Sequence, residues 1–301
     1  MATLYTHQDQ NIHKTWALFT IFFIVVIGIG WVFSYLLDTP VLLPIAVMVS
    51  ILMSITSYWY SDKIVIASTH AVPADGTEFL ELNRIVDNLA ITAGLPKPQV
   101  YVVRDPAPNA FATGRDPEHA AIAVTTGLLQ ILNQTELEGV IAHELSHVGN
   151  RDILVSTVAV VLVGFIALIS DWFLRALWHR GNGGDRKNGG AGILLLVGIV
   201  LAILSPMIAK LMQLAISRKR EFLADASGAL LTRYPDGLAN ALAKIAKYDR
   251  PLLHTNNAVN HVWLDDPEHV ETSGRRHWFA NLFATHPPIA DRIAALRNAG
   301  K

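Results

Sequence analysis

Four long apolar segments interrupt the polar parts of this 301-residue chain, at 16–37, 41–60, 153–170 and 189–209. Each has 18 to 22 residues without a charged side chain. A helix of that length crosses the roughly 30 Å of hydrocarbon in a bilayer. The pattern therefore predicts about four transmembrane helices, of which the third is the shortest and ends at Asp171.

The first two segments predict a tight helical hairpin, because only Asp38, Thr39 and Pro40 separate them. The first segment is too long for the apolar core of a signal peptide and lacks a small-x-small cleavage site. We therefore expect it to remain as a membrane anchor. The chain then divides into a membrane hairpin at 1–60, a polar half at 61–152, a second hairpin with a Gly-rich loop at 153–209, and a polar half at 210–301.

The first polar half predicts a small sheet beside helices. Residues 75–93 have the apolar spacing of an amphipathic helix, and 99–103 and 120–125 are rich in strand-forming residues. A shorter extended piece is predicted at 109–113. A further helix is predicted to follow, starting at a capping box formed by Thr135 and Glu138.

That last helix contains the motif His143-Glu144-Leu145-Ser146-His147. Residues four apart in a helix differ by about 40° of rotation and roughly 6 Å of rise, so both imidazoles can reach one tetrahedral zinc ion. Glu144 lies about 100° around the helix, where it could act as general base on a water held by the metal. The alternative interpretation is a pair of ordinary core histidines.

The identity of a third metal ligand can be narrowed by excluding other residue types. The chain has no cysteine, and Asn150 and Ile153 occupy the positions of the H-x-x-G-x-x-H pattern, so a carboxylate or a distant histidine remains. Glu221 is the best candidate, because Glu221 and Asp225 share one face of a predicted helix. One could bind the metal while the other accepts the free N–H of a ligand imidazole. The alternative is a solvated helix face with charges at that spacing.

Two further segments are candidates for contact with a substrate. The extended piece at Asn109, Ala110, Phe111 and Ala112 could be an edge strand that pairs with a peptide backbone, or an ordinary turn with a buried Phe111. Pro287 favours an extended conformation at His286, from which the imidazole could act as a transition-state donor.

Charge excludes one class of function and suggests an orientation. The net charge is −1 and no basic-aromatic stripe is present, so a nucleic-acid partner is not expected. Basic residues near the ends of the apolar segments favour polar halves in the cytoplasm. They are Lys14, Lys63, Arg151, Lys210, Arg218, Lys219 and Arg220. The loop assigned to the opposite side is also basic, which leaves the topology of the last two segments open.

Together these features resemble the HtpX-type membrane zinc metalloproteases, which are relatives of the CAAX prenyl proteases. The resemblance covers almost the whole chain. It rests on the N-terminal hairpin, Asn109 to Ala112, the H-E-x-x-H motif continuing into Asn150-Arg151-Asp152, Glu221 with Asp225, and Thr285-His286-Pro287-Pro288 with Arg292. The Gly-rich basic loop at 181–192 departs from the pattern.

The resemblance implies a predominantly α, α+β fold with a gluzincin-like protease domain fused to about four transmembrane helices. It implies one Zn²⁺ per chain, bound by His143, His147 and Glu221. Asp225 is implied as the carboxylate partner of a ligand histidine, and Glu144 as general base. A role for His286 and a substrate-binding edge strand at Asn109, Ala110, Phe111 and Ala112 are also implied.

The resemblance further implies an inner-membrane endopeptidase with a cytoplasmic active site. Its expected partners are the lipid bilayer and polypeptides, above all misfolded or damaged membrane proteins, in quality control and stress response. Self-cleavage and a homo-oligomer are further options.

Two alternatives remain. A site-2-type intramembrane protease would carry the motif inside a span, which the polar run at 133–138 disfavours. A non-catalytic zinc-containing membrane scaffold has no use for an intact Glu144, and structural zinc sites usually close the fourth position.

Overall fold

The computed structural model describes residues 4–36, 38–181, 218–248, 263–264 and 287–299. The helices are α1 (Leu4–Leu36), α2 (Leu42–Ser68), α3 (Leu80–Ala93), α4 (Thr126–Ile131), α5 (Gln134–Gly149), α6 (Asp152–Gly181), α7 (Arg218–Thr232), α8 (Pro235–Ile245) and α9 (Ile289–Ala299). The strands are β1 (Val72–Pro73), β2 (Gln99–Val103), β3 (Ala110–Gly114) and β4 (Ala120–Thr125). Short 3-10 turns occur at Thr77–Phe79 and Pro117–His119.

Helices α1 and α2 are each long and apolar enough to cross a membrane. Both extend beyond the apolar segments that predicted them, and large apolar side chains such as Trp16, Trp31 and Met48 are exposed on their surfaces. A Cβ added to Gly30 would collide with Ala46, so the two helices meet closely at small residues. The first two apolar segments therefore form a helical pair.

The third apolar segment lies in α6, which is bent by 84° relative to α5. Taken together, α5 and α6 are long and apolar enough to form one broken span. The described residues therefore hold two candidate membrane spans, or up to three if this bent pair is one of them. The fourth segment and the Gly-rich loop lie outside the described residues, and the four-part division of the chain stays a prediction.

The four strands form one mixed sheet in the order β1-β2-β4-β3. Strand β4 is parallel to β2, with Gln99 opposite Ala121, and antiparallel to β3, with Ala110 opposite Val124. The bounds of β2 and β4 are those predicted, and β3 is shifted by one residue. The two-residue strand β1 was not predicted. Strand β3 lies at the edge of the sheet.

The main core lies between the sheet and helices α3, α5 and α8. One apolar stripe of α5, formed by Leu137, Ile141, Leu145 and Val148, is buried there. Two glycines allow the neighbouring backbones to approach α5 closely. A Cβ on Gly139 would lie 2.6 Å from the Leu238 nitrogen, and a Cβ on Gly228 would lie 3.0 Å from the His143 nitrogen. The second contact brings α7, which carries Glu221, onto the helix of the histidine motif.

The predicted start of α5 was wrong by two residues. Asn133 is the N-cap: its side chain accepts from the Glu136 N–H at 3.0 Å, and its own N–H donates to Glu136 Oε2 at 2.9 Å. Asn133 rather than Thr135 occupies the N-cap position, because asparagine is the stronger N-cap residue. Glu136 also bonds Lys244 Nζ at 2.6 Å, which ties the cap to α8.

Candidate metal centre and active site

Helices α5 and α7 bring His143, His147 and Glu221 together, with ligand atoms that all lie within 4.8 Å of one another. The two Nε2 atoms are 3.2 Å apart. The Glu221 oxygens lie 3.6 Å from His147 Nε2 and 3.8 Å from His143 Nε2. Ligands at zinc distances in a tetrahedron are about 3.3 Å apart. The three side chains therefore have the spacing of a metal site.

The other nitrogen of each imidazole contacts a carboxylate. Asp225 Oδ1 is 2.9 Å from His143 Nδ1, and Asp152 Oδ2 is 3.1 Å from His147 Nδ1. Each carboxylate accepts the Nδ1–H, which directs the lone pair of Nε2 towards the other ligands. Two such lone pairs and a carboxylate facing one another repel unless a cation lies between them. The donor set thus fits a bound metal ion.

Asp152 reaches His147 because the chain breaks sharply after α5. Arg151 has a positive φ of 57°, and α6 begins at Asp152 at 84° to α5. In an unbroken helix, a residue five positions after His147 would lie on a different face. Sequence reasoning assigned no role to Asp152, because the break that positions it has no clear local signal.

Arg292 on α9 holds the Asp225 carboxylate in place. Its side chain is fully buried, with 0% exposure, and donates from Nε to Asp225 Oδ2 at 2.9 Å and from Nη2 to Asp225 Oδ1 at 2.7 Å. Burial alone would raise the pKa of Asp225, but hydrogen bonds from His143 and Arg292 lower it to about 2. The carboxylate is thus held ionised beside the imidazole. Arg292 entered the sequence reasoning only through the family resemblance.

Glu144 lies on α5, next to His143, and is also buried, with 3% exposure. Burial raises the pKa of its carboxyl, while His143 and His147 oppose that shift. For His147, burial lowers the pKa, but the bond to Asp152 and the charge of Glu221 outweigh it and raise the pKa to about 9. The carboxylates around His147 therefore favour positive charge at this position.

Strand β3 is a true edge strand, but its outer side is partly covered. The Leu264 N–H donates to the Ala110 carbonyl at 2.8 Å, and Trp263 packs edge-on against the buried Phe111 ring at 4.7 Å. Asn109 precedes the strand, and its Oδ1 accepts from the Ala110 N–H at 3.0 Å. Asn109 to Ala112 thus form a strand and its entry rather than a turn. His286 lies outside the described residues.

The sequence profile of peptidase family M48 matches residues 77–299. The chain belongs to peptidase family M48. Its relatives include a protease HtpX homologue of Caldanaerobacter subterraneus subsp. tengcongensis, 45% identical over 98% of each chain. Another protease HtpX homologue, from Pyrococcus furiosus, is 46% identical over 90% of each chain.

The M48 chain is also similar to a solved structure, that of S. mikatae Ste24p, with a TM-score of 0.51 and 18% identity. The similarity covers 97% of this chain and 66% of that one, and it concerns the fold. The predicted fold class, mostly helical with a small sheet, is confirmed. The family and the HtpX relatives also confirm the prediction of a membrane-bound metalloprotease.

Replacing the buried arginine of this M48 protein should destabilise it. Arg292→Leu leaves the Asp225 carboxylate buried without its counter-charge, and breaking a buried pair in this way costs about 3–5 kcal/mol. Denaturant unfolding of the detergent-solubilised protein, followed by tryptophan fluorescence, measures the change in the free energy of unfolding.

Arg297 provides the matched control, since it lies on the same helix but is exposed. Arg297→Leu should change the free energy of unfolding by no more than about 0.5 kcal/mol. Equal effects of the two substitutions would contradict a special role for the Arg292–Asp225 pair.

Proposed function

We propose that this M48 protein is a zinc endopeptidase in which His143, His147 and Glu221 bind the metal and Glu144 is the general base. The observation that carries the proposal is the convergence of two Nε2 atoms and one carboxylate on a common point, beside a second, buried carboxylate on α5. This arrangement has the parts needed for hydrolysis: a metal-binding face and a base that is not required as a ligand.

Zinc is favoured by the chemistry of the donors. Two imidazole nitrogens and one carboxylate are a common ligand set for catalytic zinc, whereas Mg²⁺ and Ca²⁺ prefer oxygen ligands throughout. The group contains three potential ligands among the described residues, which fits a catalytic site with one position left for water or substrate. A structural zinc site would usually have four protein ligands. This argues against the scaffold alternative.

Bound zinc would supply Lewis-acid chemistry, which polarises the scissile carbonyl and makes a nearby water more acidic. Glu144 accepts a proton from the attacking water and then delivers it to the leaving amine. The raised pKa of its carboxyl suits both steps, because a base is most effective when its pKa approaches the working pH. Burial excludes bulk water, and His147 is the most exposed of the three ligands, so substrate would approach on its side.

The position of α5 disfavours the intramembrane alternative. The helix begins at a polar capping box and packs on the sheet, α3 and α8 rather than on the apolar surfaces of α1 and α2. The motif therefore belongs to the polar domain, next to the point where the chain turns into α6.

Glu144→Gln should retain the metal and lose cleavage. Glutamine has nearly the same shape but cannot accept the proton, and loss of a general base typically costs about 100-fold or more in rate. Cleavage of a denatured membrane protein by the detergent-solubilised enzyme gives the activity, and elemental analysis gives the zinc content. A chelator should abolish wild-type cleavage, and added zinc should restore it.

Two further variants complete the test. Glu221→Ala should lose both zinc and activity, because it removes a ligand. Glu138→Gln changes a half-buried glutamate on the same helix, which points to Gln134 rather than to the metal centre, and should alter neither. Near-normal proteolysis by Glu144→Gln would refute the assignment of the base.

We further propose that β3 binds the substrate backbone, which deepens the edge-strand prediction. The antiparallel register with β4 places the amide and carbonyl of Ala110 and Ala112 on the outer edge. The Ala110 carbonyl already accepts from Leu264, and the Ala110 N–H donates to the Asn109 side chain. The Gly114 N–H donates to Thr157 Oγ1 at 3.4 Å. Ala112 lies between these contacts, and we propose that it exchanges hydrogen bonds with one substrate residue.

Backbone methylation of a peptide substrate tests this mode. Only one substrate residue exchanges hydrogen bonds with Ala112, so N-methylation should reduce kcat/KM at that one position. A loss of one hydrogen bond corresponds to about 2–10-fold, while methylation at the two neighbouring positions, whose amides point away from the edge, should have little effect. Losses that are uniform along the peptide would contradict strand pairing at Ala112.

The proposed location is the inner membrane, with the protease domain in the cytoplasm. The basic residues beside the apolar segments support this orientation. The α1–α2 pair, as a membrane anchor, supports membrane proteins as substrates and a role in quality control. Self-cleavage and a homo-oligomer stay predictions.

Cysteine labelling tests the orientation, because the chain has no cysteine of its own. In intact cells, Pro40→Cys in the exposed loop between α1 and α2 should react with a membrane-impermeant maleimide. Lys97→Cys, on the surface of the protease domain, should react only after permeabilisation. The reverse pattern would place the active site outside the cytoplasm.

A further inference from the structure

We propose that Asn11, on membrane helix α1, is a positioning residue for the metal centre. It lies far from the histidine motif in sequence and contributes no ligand. Its side-chain amide nevertheless joins the end of α5 and the start of α7, which carry the ligands His147 and Glu221, to the start of α6, which carries Asp152. The inference rests on the zinc site proposed above.

The contacts of Asn11 are directed and buried. The side chain is 2% exposed, and its Nδ2 donates to Asp152 Oδ1 at 2.8 Å and to the Asn150 carbonyl at 3.0 Å. Its Oδ1 accepts from Arg220 Nη1 at 3.1 Å. Both N–H groups and the oxygen of the amide are therefore used, as a buried amide requires.

These contacts act on the metal ligands through one intermediate residue each. Asp152 Oδ2 is the oxygen that contacts His147 Nδ1, and Asn11 holds the opposite oxygen of the same carboxylate. Arg220, whose Nε is 3.4 Å from Asp152 Oδ1, directly precedes Glu221 in the chain. Asn11 thus fixes the rotation of the Asp152 carboxylate and the arginine next to the third ligand.

The hydrogen bonds of Asn11 indicate that it does more than join α1 to the neighbouring helices. An amide on a mostly apolar helix costs free energy unless it is hydrogen-bonded, and apolar packing alone could join α1 to the domain. Here every side-chain bond of the amide goes to a residue adjacent to the metal centre. Mutation of a carboxylate that orients a ligand histidine typically weakens metal binding by about 10–100-fold. Asn11 acts one bond further away, so we expect an effect on the order of 10-fold.

The experiment measures zinc affinity of the full-length protein in nanodiscs, by competition with a chelating dye. Asn11→Leu, whose side chain has the same branched shape but no polar atoms, should weaken zinc binding by about 10-fold. Asn11→Ala should do the same, and it serves if leucine does not fit. The visible spectrum of the cobalt-substituted protein should also change, because it reports the geometry of the ligands.

Thr15→Val is the matched control. Thr15 lies one turn further along α1, is equally buried, and its hydroxyl donates to the Asn11 carbonyl at 3.0 Å. The substitution removes a buried hydrogen bond of α1 without touching Asp152 or Arg220, and zinc affinity should stay within about 2-fold of wild type. An equal loss in Thr15→Val would mean that α1 contributes only general stability, which would overturn the inference.

A double-mutant cycle identifies the route. If Asn11 acts through Asp152, Asn11→Leu should weaken zinc binding in the wild type but add little in the Asp152→Asn background. Unchanged zinc affinity and cobalt spectrum in both Asn11 variants would also overturn the inference. Failure of the wild type itself to bind zinc would instead contradict the proposed function.

Discussion

The hydrogen bonds between carboxylates and imidazoles are the interactions on which the rest of the structure depends. His143 is held by Asp225 and His147 by Asp152, and these contacts direct both Nε2 atoms to one point. Each carboxylate is in turn held by an arginine, Arg292 in one case and Arg220 in the other. The same chain of imidazole, carboxylate and guanidinium occurs twice, and each arginine comes from a helix far from the histidine motif in sequence. The centre is therefore complete only when α5, α6, α7 and α9 have packed together.

The charges around the centre explain why a dication suits it. The charged side chains in and next to the histidine pair are Glu144, Asp152, Glu221, Asp225, Arg220 and Arg292. With the acids ionised and the imidazoles neutral, these six side chains carry two more negative than positive charges, and Lys14, whose charge interacts with Asp152 and Arg220, offsets at most one of them. Uncompensated charge is costly in a buried site, and a bound dication removes that cost. The raised pKa of His147 has the same origin, because the bond to Asp152 and the charge of Glu221 favour positive charge there.

The sequence predicted those features that depend on local pattern. Strands β2 and β4 and the motif helix follow from residue type and spacing. Exclusion of other ligands left Glu221 as the best candidate, and the family resemblance implied it as the third ligand. The capping box was misplaced because two overlapping candidates occur within six residues. The stronger N-cap preference of asparagine and the bond between Glu136 and Lys244 both favour the one that starts at Asn133. The roles of Asp152 and Arg292 could not be predicted, because one depends on a sharp break between helices and the other on a contact with a distant part of the chain.

The membrane helices contribute to the domain as well as anchoring it. Thr157 on α6 contacts Thr113 of the edge strand at 3.1 Å between hydroxyl oxygens. The Arg115 guanidinium lies 4.7 Å from the Trp59 ring of α2, and its Nη1 donates to the Trp59 carbonyl at 3.3 Å. With the contact of Asn11, each of the three membrane-proximal helices, α1, α2 and α6, meets the domain through polar groups. Apolar surfaces can slide, whereas directed polar contacts fix a register, so the edge strand and the metal centre have set positions relative to the membrane helices. The protease site is thus built at the junction of domain and membrane helices, and an isolated polar domain would lack part of its support.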